Sequence, residues 1–347
     1  MTPEIRRSLV QHSRLRQDPH AVLRRLLDRV PPGLRLDEPA KQLEQRIADL
    51  LGKPAALFFP TGTMAQQTAM RVHAERTGRR TFAAHPQCHL VIWEDEGYSA
   101  VHGLRHLAVG DREDLITLDD LAGVREPIAA LLLELPQREI GGLLPAWDDL
   151  VAQTKWARDG GAAAHMDGAR LWEAQTYYDR PFAEIADLFD TVYVSLYKGL
   201  EGVRGAVLAG DQATIDAASV WRRRLGGATP DSWPAAVTAL MGLDEVLPRM
   251  AEFRDHAVAV AAAINADGYA TTRPRVPQTP LFHVHIPAPK DAVAAAAKRI
   301  LAESGVELPQ RPKSSPDPTR CSIELTIGVV SLDFTPQEVA DLIRRLR

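Results

Sequence analysis

The chain has only two cysteines, Cys88 and Cys321, far apart in sequence. Two isolated thiols support neither a disulfide framework nor a zinc site. Long apolar runs are also missing; the longest is far too short to span a bilayer. The N-terminus, Met1-Thr2-Pro3-Glu4-Ile5-Arg6-Arg7, lacks the apolar core of a signal peptide, and charges are scattered through the first thirty residues. These absences lead us to expect a cytoplasmic protein with no membrane partner. There is no excess of positive charge: Lys+Arg number 41 against Asp+Glu 45, for a net −4. Basic clusters such as Arg222-Arg223-Arg224 are short, so no field exists to hold nucleic acid or an anionic membrane. Internal repeats and low-complexity linkers are absent too. What remains is 347 residues, 45% hydrophobic and 25% charged, enough for one large domain and a smaller one.

The texture changes twice along the chain. Residues 1–36 are charged with recurring leucines and read as a helical arm, closed by Pro31-Pro32-Gly33. Residues 37–249 alternate helical segments with short apolar runs, at 55–59, 81–84, 106–109, 129–135, 162–166, 191–194 and 206–209. Each run has strand length and ends in small, polar or ionisable residues. This alternation predicts an α/β fold: a three-layer αβα large domain around a mostly parallel sheet. Residues 250–347 read as a small α+β domain. Runs 281–286 and 321–327 alternate with period two around the Ala-rich helix 291–304. Thr335-Pro336-Gln337-Glu338 is a capping box opening a last helix, and the proline-rich 309–318 reads as a loop. His283 and His285 share a strand face, but no acidic partner is apparent near them, so no structural metal is expected.

Four segments offer chemistry. Pro60-Thr61-Gly62-Thr63-Met64-Ala65 follows the first run. A strand feeding a small-residue turn and a helix presents free N–H groups to a phosphate, although many such turns bind nothing. Asp167, in His165-Met166-Asp167-Gly168-Ala169-Arg170, falls at the carboxyl end of a buried strand, the edge where α/β sheets bind ligands. Its partner is either a protonated pyridine nitrogen or Arg170, or it caps the next helix. Lys198, in Ser195-Leu196-Tyr197-Lys198-Gly199-Leu200, follows another run with apolar or small flanks. Desolvation there favours the neutral amine that a Schiff base requires; the alternative is a surface lysine. His89, with Glu94 five residues on, can stack on a ring and move protons, or can be structural. A phosphate turn, an imidazole, an Asp and a Lys in this order match the layout of an α/β enzyme using pyridoxal 5′-phosphate (PLP). The interval from Asp167 to Lys198 is about one βαβ unit, which brings both to one sheet edge.

These segments resemble those of the low-specificity threonine aldolases and related β-eliminating lyases. Phe59-Pro60-Thr61-Gly62-Thr63, His89 with Trp93-Glu94, Asp167-Gly168-Ala169-Arg170, Lys198-Gly199-Leu200 with Gly205 and Gly210, and Trp221-Arg222 with Gly226-Gly227 carry the match. The resemblance covers roughly residues 37–330. It implies the aspartate-aminotransferase-like fold and a homo-oligomer, a dimer or a tetramer of dimers that share active sites. It also implies PLP as a Schiff base on Lys198, Asp167 on the pyridine nitrogen, and Gly62 and Thr63 on the phosphate. His89 would stack on the ring, Arg170 would bind the cofactor O3′ or the substrate carboxylate, and Arg320 would bind that carboxylate. Three positions depart from the family: no Arg-Ser-Asp-Thr segment opens the chain, Thr229-Pro230 stands where an Arg is usual, and Gln137 or Arg138 replaces a His. The reaction expected is retro-aldol cleavage of a β-hydroxy-amino acid to glycine and an aldehyde, with His89, Glu94 or a water they hold as base. Alternatives are β-elimination, transamination, or PLP binding without turnover.

Overall fold

A computed structural model describes residues 4–11, 13, 15 and 18–347. The chain divides into two compact units. One holds Val30–Glu139 and Leu144–Asp244; the other holds Met1–Arg29, Ile140–Leu143 and Glu245–Arg347.

The larger unit contains β1 (Ala55–Phe59), β2 (Thr81–Ala84), β3 (Arg105–Ala108), β4 (Ala130–Glu134), β5 (Ala163–Gly168), β6 (Thr191–Ser195) and β7 (Ala206–Gly210). They form one sheet in the order β1-β7-β6-β5-β4-β2-β3. The sheet is mostly parallel, as the alternation of runs and helices predicts. Its exception is β7, antiparallel to both β6 and β1. The reason is length: residues 196–205 are too few for the helical crossover a parallel return needs. Strands β4, β6 and β7 are buried along their whole length, which is why they read as continuous apolar runs rather than alternating ones. Strand β5 outlasts its apolar run and includes Asp167 and Gly168. A carboxylate is tolerated there because it ends the strand at the ligand-facing edge.

Three helices matter for the site: α1 (Gly62–Thr77), α2 (Leu171–Tyr178) and α3 (Gln212–Arg224). Helix α1 starts at Thr61, whose Oγ1 accepts the N–H of Met64 at 3.2 Å. It packs against β6 and β7 on one side and α3 on another, so most of its first three turns are buried.

In the second unit, β8 (Thr271–Arg273), β9 (Leu281–Ile286), β10 (Lys313–Ser314) and β11 (Cys321–Thr326) form an antiparallel sheet, in the order β10-β11-β9-β8. The capping box is realised: Thr335 and Glu338 exchange hydrogen bonds at the start of helix Pro336–Arg344. Two expectations need correction. Among the described residues of the first thirty, the helix spans only Pro19–Arg29, while Arg7–Ser8 pairs in parallel with Val306–Glu307. His283 does have an acidic neighbour: Glu324 lies opposite it in the β9–β11 register, 3.8 Å from Nε2. Cross-strand partners of this kind are invisible in a linear reading. Among the described residues, no group of three or more His, Cys, Asp or Glu side chains could hold a metal ion.

Candidate active site

The carboxyl edge of the sheet gathers several buried ionisable side chains. Glu134, Asp167 and Tyr193 are register partners on β4, β5 and β6, so their side chains share one face. All three are buried. Oδ1 of Asp167 accepts the Ala169 N–H at 3.0 Å. Burial pushes the Asp167 carboxyl above its ordinary range, against the pull of His89 and Lys198. Glu134 is pushed up to about 7, by burial first and then by the Asp167 charge. Two carboxylates on neighbouring strands resist ionising together, which adds to the effect of burial on Glu134.

Lys198 lies three residues beyond β6 and is 9% exposed. Burial, then the Arg170 charge, lowers its pKa to about 8, while Asp167 and Glu134 pull the other way. Near neutrality a useful fraction of this amine is uncharged. Arg170 opens α2 and is buried. One turn on, Glu173 is 2% exposed, and neither of its carboxylate oxygens has a hydrogen-bond partner. Burial raises its pKa, opposed chiefly by Arg170. A Cβ added to Gly199 would stand 2.8 Å from the Glu173 carboxyl carbon. The glycine after Lys198 therefore lets the chain pass this carboxylate.

The turn at Gly62 closes over the same face. A Cβ on Gly62 would collide with Oη of Tyr193, the residue beside Asp167. Only a bare backbone fits there, and it brings the N-terminus of α1 to the Asp167 row. Gly62 is half-buried and Thr63 exposed.

His89 opens a short helix, His89–Ile92, with a side chain 27% exposed. Its Nδ1 lies 3.0 Å from Oε1 of the fully buried Glu94, whose Oε2 accepts from Gln67 Nε2 at 2.9 Å. With Nδ1–H given to Glu94, Nε2 of a neutral ring is a bare acceptor. Gln137 is 3% exposed; its Nε2 donates to Gln87 O at 3.3 Å and to Glu134 Oε2 at 3.1 Å. Both amide hydrogens are thus spent within the chain. Arg138 bonds Glu139 at 3.2 Å and lies over the Trp93 ring. Arg320 belongs to the other unit, where it is exposed and 4.0 Å from Asp317.

Sequence reasoning missed Glu134, Tyr193 and Glu173 as site residues. Glu134 carried a signal close to that of Asp167, an acid one residue short of the end of the run 129–135. Tyr193 lies inside a run, and Glu173 reads as an ordinary helical acid.

The residues fit PLP. A buried carboxylate wants a cationic N–H, a near-neutral buried amine wants an aldehyde, and a bare-backbone turn at a helix N-terminus suits a phosphate. This fold and this edge define an α/β enzyme of the PLP-dependent class. A profile of the family described as "Beta-eliminating lyase" matches residues 35–287, and the chain belongs to that family; it is a PLP-dependent lyase. The chain is 30% identical over 239 residues, 66% of each sequence, to low-specificity L-threonine aldolase 1 of Arabidopsis thaliana. Among solved structures, a Listeria monocytogenes EGD-E protein provisionally called an L-allo-threonine aldolase superposes with TM-score 0.90 and 33% identity, covering 99% of this chain and 96% of that one. A protein of Exiguobacterium sp. 255-15, provisionally an aromatic amino acid beta-eliminating lyase/threonine aldolase, gives TM-score 0.91 and 34% identity, covering 99% and 97%.

Proposed function

We propose that this lyase cleaves the Cα–Cβ bond of a β-hydroxy-amino acid, giving glycine and an aldehyde. The observation that carries this reading is the pairing of a near-neutral buried Lys198 with the Asp167–Glu134 carboxyl pair on one sheet edge, under the Gly62 turn. PLP, when bound, supplies an electron sink for the pair released at Cα. Lys198 would offer the amine that meets the cofactor aldehyde. Asp167 would hold a proton on the ring nitrogen, and Gly62 and Thr63 would present backbone N–H groups to the phosphate. Arg170 takes the substrate carboxylate, with Glu173 behind it as counter-charge. His89 Nε2 accepts the β-hydroxyl proton as Cα–Cβ breaks, and Glu94, hydrogen-bonded to Nδ1, steadies the cation that results.

The test is product analysis with a panel of β-hydroxy-amino acids. Glycine and aldehyde in equal amounts are expected. Pyruvate and ammonia from serine would replace the reading with β-elimination. We also place the enzyme in the cytoplasm as a homo-oligomer, a dimer or tetramer. In support, no described helix is long and apolar enough to cross a membrane. Leu23 and Leu27, one turn apart on Pro19–Arg29, are 57% and 78% exposed, as expected of a helix that meets a second copy. Light scattering of the purified protein decides the oligomer.

A further inference from the structure

One row below the acid edge, the same strands carry a second polar set. His165 on β5 and Thr191 on β6 are register partners, two residues before Asp167 and Tyr193 respectively. Helix α1 lies across them. Thr191 Oγ1 is 2.7 Å from His165 Nδ1 and 2.7 Å from Nε2 of His73 on α1. His165 Nε2 is 2.6 Å from Oε1 of Gln66, also on α1. All four side chains are buried.

The order of donors follows from the ends. A carbonyl oxygen accepts only, so His165 Nε2 carries the hydrogen toward Gln66. Nδ1 of a neutral His165 is then an acceptor and takes the Thr191 O–H. The hydroxyl has given its only hydrogen, so its oxygen accepts from His73 Nε2–H. Burial holds both imidazoles below their ordinary pKa, which keeps the chain neutral at working pH. The result is a one-way chain, His73 to Thr191 to His165 to Gln66, with each link made once.

The three elements it joins are the three that feed the site. Helix α1 begins at the Gly62 turn, β5 ends at Asp167, and β6 leads to Lys198. Strands β5 and β6 are already fixed to each other by their ladder. Helix α1 has no such ladder, so the chain pins it by polar contact at two points along its length, Gln66 and His73. We propose that His165 and Thr191 are positioning residues that set the height of the Gly62 turn against the strands holding Asp167 and Lys198. This inference rests on the reading of that turn as the phosphate site.

The chain should therefore matter for the phosphate and little for the ring. The experiment titrates apoprotein with PLP and with pyridoxal, which lacks the phosphate, and records the thermal midpoint of each apoprotein. Thr191→Val removes the shared hydroxyl at nearly constant volume; Thr191→Ser restores it; Gln66→Met cuts the chain on α1 alone. Thr191→Val and Gln66→Met are expected to weaken PLP binding by about tenfold or more, the scale of one broken buried hydrogen bond. Their pyridoxal affinity should change less than about threefold, and Thr191→Ser should bind both ligands like wild type. If Thr191→Val does not fold, Gln66→Met carries the same comparison. Equal losses for PLP and pyridoxal, or no loss, would overturn the inference and leave the chain as core packing. If the wild-type protein itself shows no preference for PLP over pyridoxal, the phosphate-turn reading fails first, and the inference falls with it.

Discussion

Two rows of polar side chains lie one strand-step apart on the same face of the sheet, and they are built in opposite ways. In the inner row, His165 has both ring nitrogens engaged by the chain's own groups, and burial keeps it uncharged. In the edge row, Glu134, Asp167, Lys198 and Glu173 are held away from their ordinary pKa values, and neither carboxylate oxygen of Glu173 has a hydrogen-bond partner. Both rows are buried, so depth does not distinguish structure from site. Completeness does. A buried polar group whose bonds are all made stabilises; one whose bonds are unmade costs stability until something else completes it. The edge row is where the protein expects another molecule.

The comparison breaks most visibly at Lys198. Lys198→Ala is expected to lower kcat by about 10⁴-fold or more, above what a single proton-transfer group supplies, because the covalent anchor goes as well. Steady-state glycine release measures this, and retention of even a tenth of the activity would remove Lys198 from the site. Asp167→Asn comes next, at roughly 10²–10³-fold, the scale of one lost preorganised charge. Its apoprotein should melt at the same temperature or higher, because a buried charge without its ligand is a burden on the fold. The inner row should do the opposite. His165→Phe is expected to destabilise the apoprotein by about 1–3 kcal/mol, since it strands Gln66 and Thr191. Denaturant titration of both apoproteins puts the two rows side by side. An Asp167→Asn variant less stable than His165→Phe would undo the contrast.

This division also explains what could be read without coordinates. A polar residue at the end of an apolar run is a one-dimensional signal, and it is what singles out Asp167 and Lys198 as candidates. Parallel topology follows from the alternation of runs with helices, though the reversal at β7 needed the length of 196–205 to be weighed. The inner row left no such signal: His165, Thr191, Gln66 and His73 are ordinary residues until three elements bring them within hydrogen-bond reach. Glu173 is likewise silent, since its meaning comes from the close pass of Gly199. Glu134 was legible and overlooked, because Gln137 and Arg138 beside it drew the comparison with the family's histidine.

Glu134 gives the smallest effect and the finest test, because its proton distinguishes an edge group from an inner one. Its folded pKa of about 7 lies above the ordinary 4.5. Between those values the folded chain keeps a proton that the unfolded chain has lost. Its contribution to stability is therefore complete below 4.5 and disappears as pH rises through 7. Lys198 runs the other way: its folded pKa of about 8 lies below 10.5, so the folded state is favoured progressively as pH climbs from 8 to 10.5. Thermal midpoints of the apoprotein should thus sag through the neutral range and recover in alkali on these two accounts. Glu134→Gln should flatten the first slope and leave the second, at a cost of only about two- to fivefold in kcat, since the amide keeps the shape and an acceptor oxygen for the Arg138 N–H. Lys198→Met should flatten the second slope and leave the first. If Glu134→Gln leaves the first slope unchanged, the proton between pH 4.5 and 7 belongs elsewhere, and Asp167 stands alone at the sheet edge.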